Sequence, residues 1–212
     1  MTIEWKITRD LVQYPEALEL MEERVAQIIN GQAHEMAWLL EHPSLYTAGT
    51  SAVKDDLLRD NLLPVFQTSR GGQYTYHGPK QRIMYLMLDL KKRAQSNNPD
   101  LKKYVYSLEQ LIIETLREFD ITGERRKGRV GIWVTDKNRK EEKIAAIGIR
   151  IKKWVTYHGI AINVNPNLEY FDGIVPCGIK EHGVTSMYKL NKKIEMKKLD
   201  QALKQSFNKI FT

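Results

Sequence analysis

Cys177 is the only cysteine of the chain and sits in the segment Pro176, Cys177, Gly178, Ile179. A thiol acts as a nucleophile only through its thiolate, which needs a nearby cation or a favourable dipole. Without one, a lone cysteine is a small buried apolar residue. The flanking proline and glycine point to a loop of fixed shape. Lys143 opens the run K-I-A-A-I-G at 143–148. An apolar setting disfavours an ammonium, which would suit that amine to moving protons. The ordinary alternative is a lysine stem lying along a strand end with its head in water. Ala145 and Ala146 leave room beside it, and Gly148 weakens a strand unless something approaches it closely. A third segment reads R-G-G-Q-Y-T-Y-H-G-P at 70–79. Its paired glycines let a backbone approach a ligand, or simply make a turn into a strand. Taken singly, each segment has an ordinary structural reading beside the chemical one.

Other chemistry is excluded by spacing. The run G-E-R-R-K-G-R at 123–129 comes near a phosphate-binding loop, but Arg129 and Val130 stand where the lysine and the magnesium-binding hydroxyl are needed. No G-x-G-x-x-G follows a strand, so a dinucleotide fold is unsupported. His34, His42, His77, His158 and His182 show no zinc-type spacing with one another or with the cysteine, and no metal is expected. The basic cluster 125–129 lacks interleaved aromatics and reads as a solvated loop rather than a nucleic-acid site. Thr-Tyr-His-Gly occurs at 75–78 and again at 156–159. Its flanks do not repeat, which argues against a duplication.

These residues must be positioned by three helices and a set of strands. Leu18, Met21, Val25, Ile28 and Ile29 share a helical face, with Gly31 as a stop. Ser107 and Gln110 resemble a capping box ahead of Leu108, Leu111, Ile112, Leu116 and Phe119. Leu199, Leu203, Phe207 and Ile210 form a third stripe. Strands are expected at 36–40, 83–90, 131–135, 143–151 and 154–164. Alternation runs through Ala145, Ile147, Ile149 and Ile151, and a short Lys152–Lys153 connection suggests a hairpin. Adjacent strands without helices between them predict an α+β arrangement of largely antiparallel character. Loops are expected at 97–99 and 137–142, both within one domain spanning 1–212.

With 212 residues the chain suits one large domain. One cysteine allows no internal disulfide, and the N-terminus has no apolar signal core. No apolar run reaches bilayer length. The expectation is a cytoplasmic protein without membrane attachment. A net charge of +7 favours acidic partners, although many basic proteins bind nothing through their charge.

Taken together the segments carry a resemblance. RGGQYTYHGP at 70–79, GIWV at 131–134, KIAAIGIRI at 143–151, WVTYHGIAINV at 154–164, and PCGI followed by GVTS within 176–186 occur in that order. In these motifs the chain resembles the lipoyl(octanoyl) transferases of lipoate biosynthesis, over most of its length. The resemblance implies an α/β sandwich of mixed sheets with flanking helices, like the catalytic domain of biotin and lipoate protein ligases. It implies transfer of an octanoyl group from octanoyl-acyl carrier protein, through a cysteine thioester, to a lysine amine on lipoyl domains of 2-oxoacid dehydrogenases and the glycine cleavage H protein. Cys177 matches the family nucleophile, and Lys143 the lysine that favours its thiolate. Arg70, Gly71, Gly72, Gln73, Tyr74, Thr75, Tyr76 and His77 match the acyl-substrate wall, as do Ala146, Ile147, Gly148, Gly159, Ile160 and Ala161. No cofactor is implied: thioester exchange is nearly balanced and amide formation is downhill, so ATP is not needed. The basic surplus then suits an acidic carrier. The default expectation is a monomer.

Two departures from the family pattern stand out. Lys80 occupies a position where glycine is frequent, and Met187 replaces a leucine. Two rival readings share the motifs: an ATP-dependent lipoate or biotin ligase on the same fold, and a non-catalytic protein that binds acyl chains or lipoyl domains. Neither needs the cysteine.

Overall fold

A computed structural model of the chain describes residues 2–94, 98–135, 139–175 and 182–211. Cys177 and its Pro-Cys-Gly-Ile segment lie outside the described residues, as do Asn97 and residues 137–138 of the two expected loops. The large sheet runs β1 (Ile3–Leu11), β2 (Glu35–Glu41), β6 (Gln81–Met87), β10 (Val155–Asn163), β9 (Glu141–Lys152), β8 (Arg129–Thr135) and β7 (Glu124–Arg126). A short β11 (Gly183–Val184) also pairs with β9. The β1–β2 and β11–β9 ladders are parallel and the other neighbours are antiparallel. A second sheet has the order β4 (Val65–Gln67), β3 (Leu45–Ala48), β5 (Tyr74–His77). The expected α+β class with mixed, largely antiparallel sheets is what the chain adopts.

Helices cover both faces of the large sheet. α1 (Tyr14–Ile29) buries Tyr14, Ala17, Met21, Val25 and Ile28, a single stripe at helical spacing. It packs against Trp38, Ile83, Tyr85 and Tyr157 of β2, β6 and β10. Pro15 fits the first turn, where its missing N–H costs nothing, and Gly31 lies just past the end at φ +72°. On the opposite face, α3 (Leu101–Arg117) and α4 (Met196–Phe211) lay Leu108, Leu111, Leu116, Leu199, Leu203 and Phe207 over Met84, Leu86, Ile160 and Ile162. A four-residue helix, α2 (Leu90–Arg93), precedes α3.

Several boundaries differ from the sequence reading. α3 begins six residues before Ser107 and is capped by Asp100, whose carboxylate accepts from the Lys102 and Lys103 amides. The Ser107–Gln110 pair is mid-helix. The apolar run expected as one strand over 83–90 breaks at Met87, because Asp89 caps α2 by accepting from Lys91 and Lys92 N–H. The β9–β10 hairpin is present, but its turn is Lys153–Trp154, both at positive φ (49° and 69°). β1 and the second sheet, apart from β5, gave no periodic signal: β3 and β4 are only four and three residues long.

Candidate active site

β9 does not alternate strictly, and that decides where Lys143 points. Trp133 of β8 pairs with Lys143, yet the next residue back, Ile132, pairs with Ala145. One extra β9 residue is therefore inserted, a β-bulge. Ile144 and Ala145 both enter the core under α3 and α4, while Lys143 and Ala146 both line a cavity on the other face. Strict alternation would have put Lys143 on the same side as Ala145, Ile147 and Ile149. The Lys143 side chain is buried, its Nζ donates to the Val130 carbonyl at 3.1 Å, and the ammonium lies 4.8 Å from the Trp133 ring centroid.

The cavity has a volume of about 360 Å³ and lies between the large sheet, the second sheet and the start of α1. That size suits a small-molecule site. Of the expected site residues, Arg70, Gly72, Gln73, Tyr74, Thr75, His77, Lys143, Ala146, Ile147, Gly148, Gly159, Ile160 and Ala161 line it. Gly71 sits just behind, its N–H donating to the Ile149 carbonyl at 2.9 Å. Tyr76 points to the other side of β5 and packs with Tyr46 and Phe171. Three segments far apart in sequence thus form one wall.

Arg70 builds that wall rather than reaching across it. Its guanidinium donates to the Thr47 carbonyl and hydroxyl, to the Gln73 carbonyl and to the Gly71 carbonyl, at 2.7–2.9 Å for the four shorter bonds. These bonds hold the 70–73 loop against β3. The stem crosses β9 at Gly148, where a Cβ would fall 2.9 Å from Arg70 Cδ. That is the close approach a strand glycine invites. At Gly159 a Cβ would fall 2.1 Å from the Met84 carbonyl oxygen, so β6 and β10 approach there as only glycine allows.

Two buried imidazoles, His77 and His158, line the cavity, and a third, His42, lies behind them against His77 and Tyr85. Burial pulls His42 down to about 4 and His77 and His158 down to about 3. For His77 the next cause is the neighbouring His42, and for His158 it is Arg70. The tautomers of His42 and His77 follow from their partners. His42 Nδ1 donates to the Val12 carbonyl, so its Nε2 accepts from the Tyr85 hydroxyl, each at 2.7 Å. His77 Nδ1 donates to Gln81 Oε1 at 2.8 Å. Gln81 Nε2 in turn donates to Asn163 Oδ1, and Asn163 Nδ2 to the Thr185 carbonyl. A buried chain of hydrogen bonds thus ties the cavity wall to the segment following residues 176–181.

His158 reaches the cavity by a second departure from alternation. Its φ of 59° lies in the left-handed region, mid-strand and in a residue with a side chain. The imidazole therefore stacks on neighbouring Tyr157 (5.1 Å) and meets Tyr85 edge-on (5.9 Å), on the α1 side. Such a conformation costs on the order of 1–3 kcal/mol and persists where surrounding structure imposes it. Thr156 repairs the local ladder: its hydroxyl bridges the Leu86 carbonyl and the Leu88 N–H.

The family model for the lipoyl protein ligase A/B catalytic domain matches residues 13–208. An octanoyltransferase of Bartonella henselae is 55% identical, over 99% of this chain and 87% of that one. An octanoyltransferase of Paramagnetospirillum magneticum is 54% identical, over 99% of this chain and 97% of that one. The chain belongs to the octanoyltransferases. It is an acyltransferase of lipoate biosynthesis, as its motifs led us to expect. Among solved structures, LipL1 of Plasmodium falciparum in complex with lipoate superposes with a TM-score of 0.74. It is 16% identical and covers 99% of this chain and 62% of that one, a likeness of fold.

On this octanoyltransferase the sequence reading missed several cavity residues: Tyr14, Ser51, Ile83, Tyr85, Gly128, Arg129, Val130 and His158. The repeated Thr-Tyr-His-Gly was a usable signal, since both of its histidines line the cavity. The basic cluster 125–129 is expected as a solvated loop. It is instead part of the β7–β8 hairpin, which turns at Lys127–Gly128 and lines the cavity beside Lys143 with Gly128, Arg129 and Val130. Tyr14 gave no signal, because a tyrosine opening a helix reads as core.

Proposed function

We propose that this octanoyltransferase, acting as a single domain in the cytoplasm, moves an octanoyl group from acyl carrier protein to a lysine of a lipoyl domain by way of Cys177. The observation that carries the reading is the aim of Lys143: a bulge turns a buried lysine out of the core and into a cavity walled by 70–77, 146–148 and 159–161. A lysine serving only the fold needs no such device.

The steps balance with two groups. The Cys177 thiolate attacks the thioester carbonyl of the carrier-bound octanoyl group. The carrier's sulfur leaves and takes a proton from the Lys143 ammonium. Cys177 now holds the acyl group, and Lys143 is a neutral amine. The free amine of the incoming lysine attacks the new thioester, and Lys143 accepts the proton it sheds. An amide forms, and the Cys177 thiolate and Lys143 ammonium are restored. The apolar stretch of the cavity, with Ile83, Ala146 and Ala161, accommodates the chain.

Incubation with octanoyl-acyl carrier protein, without ATP, followed by intact-mass analysis tests this. One octanoyl adduct is expected on the unaltered protein and none on Cys177→Ser. An adduct on the serine variant, or a requirement for ATP, would overturn the thioester route.

A further inference from the structure

The motif G-I-W-V at 131–134 has no part in the transfer steps above, yet its tryptophan stands at their centre. Trp133 is 1% exposed and pairs directly across the ladder with Lys143, at the bulge itself. The Lys143 ammonium lies 4.8 Å from its ring centroid. The Arg129 guanidinium lies 4.7 Å from the same ring, and Trp133 Nε1 donates to the Arg129 carbonyl at 3.2 Å. His182 meets the ring edge-on at 5.4 Å. One indole therefore touches the lysine, the hairpin that lines the cavity, and the first described residue after 176–181. Gly131 makes room for this arrangement. Its φ is +110°, and a Cβ there would fall 2.6 Å from the Ala145 carbonyl oxygen and 3.5 Å from Lys143 Cε.

We propose that Trp133 is a positioning residue for acyl transfer: its ring face holds the Lys143 ammonium in place while its edge packs against His182. The proposal rests on the transfer reading above. A cation over an indole face is attracted by the ring quadrupole, and more strongly where water is excluded, as here. The Val130 carbonyl holds the same ammonium from a second direction at 3.1 Å. Two fixed partners of different kinds leave a flexible four-carbon chain little freedom. A held cation favours a neighbouring thiolate, and one that wanders does so less.

Two measurements test the inference. The first compares Trp133→Leu and Trp133→Phe with the unaltered protein, each checked for an unchanged melting curve. Iodoacetamide alkylation of the thiol is followed against pH, and octanoyl loading from the carrier against its concentration. With leucine, loading slows about tenfold at unchanged KM, and the alkylation midpoint moves up by about one pH unit. Phenylalanine, which keeps an aromatic face, restores loading to within about threefold. The second measurement needs no change of shape. Tryptophan is replaced globally by its mono-, di- and trifluorinated analogues, which drain the ring face step by step. Loading and alkylation slow in the same steps, and the steps vanish in the Trp133→Phe background, where Trp5, Trp38 and Trp154 still carry the label. A leucine variant with the unaltered midpoint and rate, or fluorination without effect, overturns the proposal. Should leucine unfold the protein, the fluorinated series decides alone. Alkylation needs no acyl donor, so it judges Trp133 even if loading fails and the transfer reading falls with it.

Discussion

The two faces of the large sheet are built by the same strands under different rules. On the α3 and α4 side, Met84, Leu86, Ile160 and Ile162 follow one another at strict period two and meet a continuous apolar layer. On the cavity side, β9 and β10 carry a bulged lysine, a histidine at positive φ and two closely approached glycines, Gly148 by the Arg70 stem and Gly159 by the Met84 carbonyl. The first face stores stability in packing. The second gives some stability up to aim Lys143 and His158 at one space. If that contrast is right, damage to the two faces will register in different observables, activity on one and stability on the other.

The largest expected effect lies on the cavity face. On the proposed route, Lys143→Ala removes the group that gives and takes the proton in both half-reactions. Octanoyl transfer should fall by about 10³-fold or more, the range of a lost general acid–base group. The melting temperature should hardly move, because among the described residues the lysine's polar contacts are one hydrogen bond and one ring face. A transfer rate within tenfold of the unaltered protein would erase the distinction between the faces.

The matching test on the other face is the ion pair of Arg82 on β6 with Asp200 on α4. Arg82 Nε lies 2.9 Å from Asp200 Oδ1, and Nη2 donates to Oδ2 at 3.2 Å, with both side chains nearly sealed from water. Burial already pushes the Asp200 carboxyl upward, against the pull of Arg82. Arg82→Met strands that carboxyl and should cost about 3–4 kcal/mol. Denaturant unfolding would show it, while kcat per folded molecule stays unchanged. Adding Asp200→Leu should recover most of the loss, since a paired charge and a packed apolar pair are nearly equivalent there. A double variant no better than the single would mean that the helix is held by something else.

Acid should find the cavity face first. His42, His77 and His158 have folded-state values depressed to about 4, 3 and 3 from an unfolded value near 6.5. Below pH 6.5 the unfolded chain takes up protons that the folded chain refuses. The stability is therefore whole above that pH and is lost as the pH falls toward 3. Between pH 6.5 and 5 each imidazole should cost roughly 1.5 kcal/mol. Melting curves over that range should fall steadily, and His42→Gln should flatten the slope by about a third. A flat profile between pH 7 and 5 would show that these rings are hydrated and not sealed beneath the cavity.

How much of this could be read from the sequence follows the same division. The stripes of α1 and α4 and the alternation of β9 beyond Ala145 were legible because apolar burial imposes a period, and the period survives in the letters. The 70–77, 146–148 and 159–161 segments were legible as a site only through their resemblance to a family. From spacing alone, Gly148 was a weak strand residue, and nothing told that Arg70 crosses it. The bulge at Ile144–Ala145 was invisible, because two apolar residues in succession look like any buried strand. His158 was hidden for a related reason: positive φ leaves no mark when the residue is not glycine. Ser107 misled because a serine followed three residues later by glutamine suits a cap, yet Asp100 offers a carboxylate seven residues before Ser107 and takes the cap instead.

The smallest effect separates strain that serves the cavity from strain that does not. Lys153 and Trp154 turn the β9–β10 hairpin with φ of 49° and 69°, a geometry that asparagine and glycine adopt most readily. Lys153 is exposed at the tip and touches nothing in the cavity. Lys153→Asn should therefore relieve backbone strain at no cost, gaining about 0.5 kcal/mol and raising the melting temperature by about 1–2 °C with unchanged transfer. His158→Asn offers the same backbone relief at the same kind of φ, but removes a ring wedged between Tyr157 and Tyr85 and lining the cavity. There the transfer rate should drop even if the melting temperature holds. Should both asparagines prove equally harmless to transfer, the left-handed turn at His158 would be an accident of the β6–β10 ladder, and only the bulge at Lys143 would remain as a departure made for chemistry.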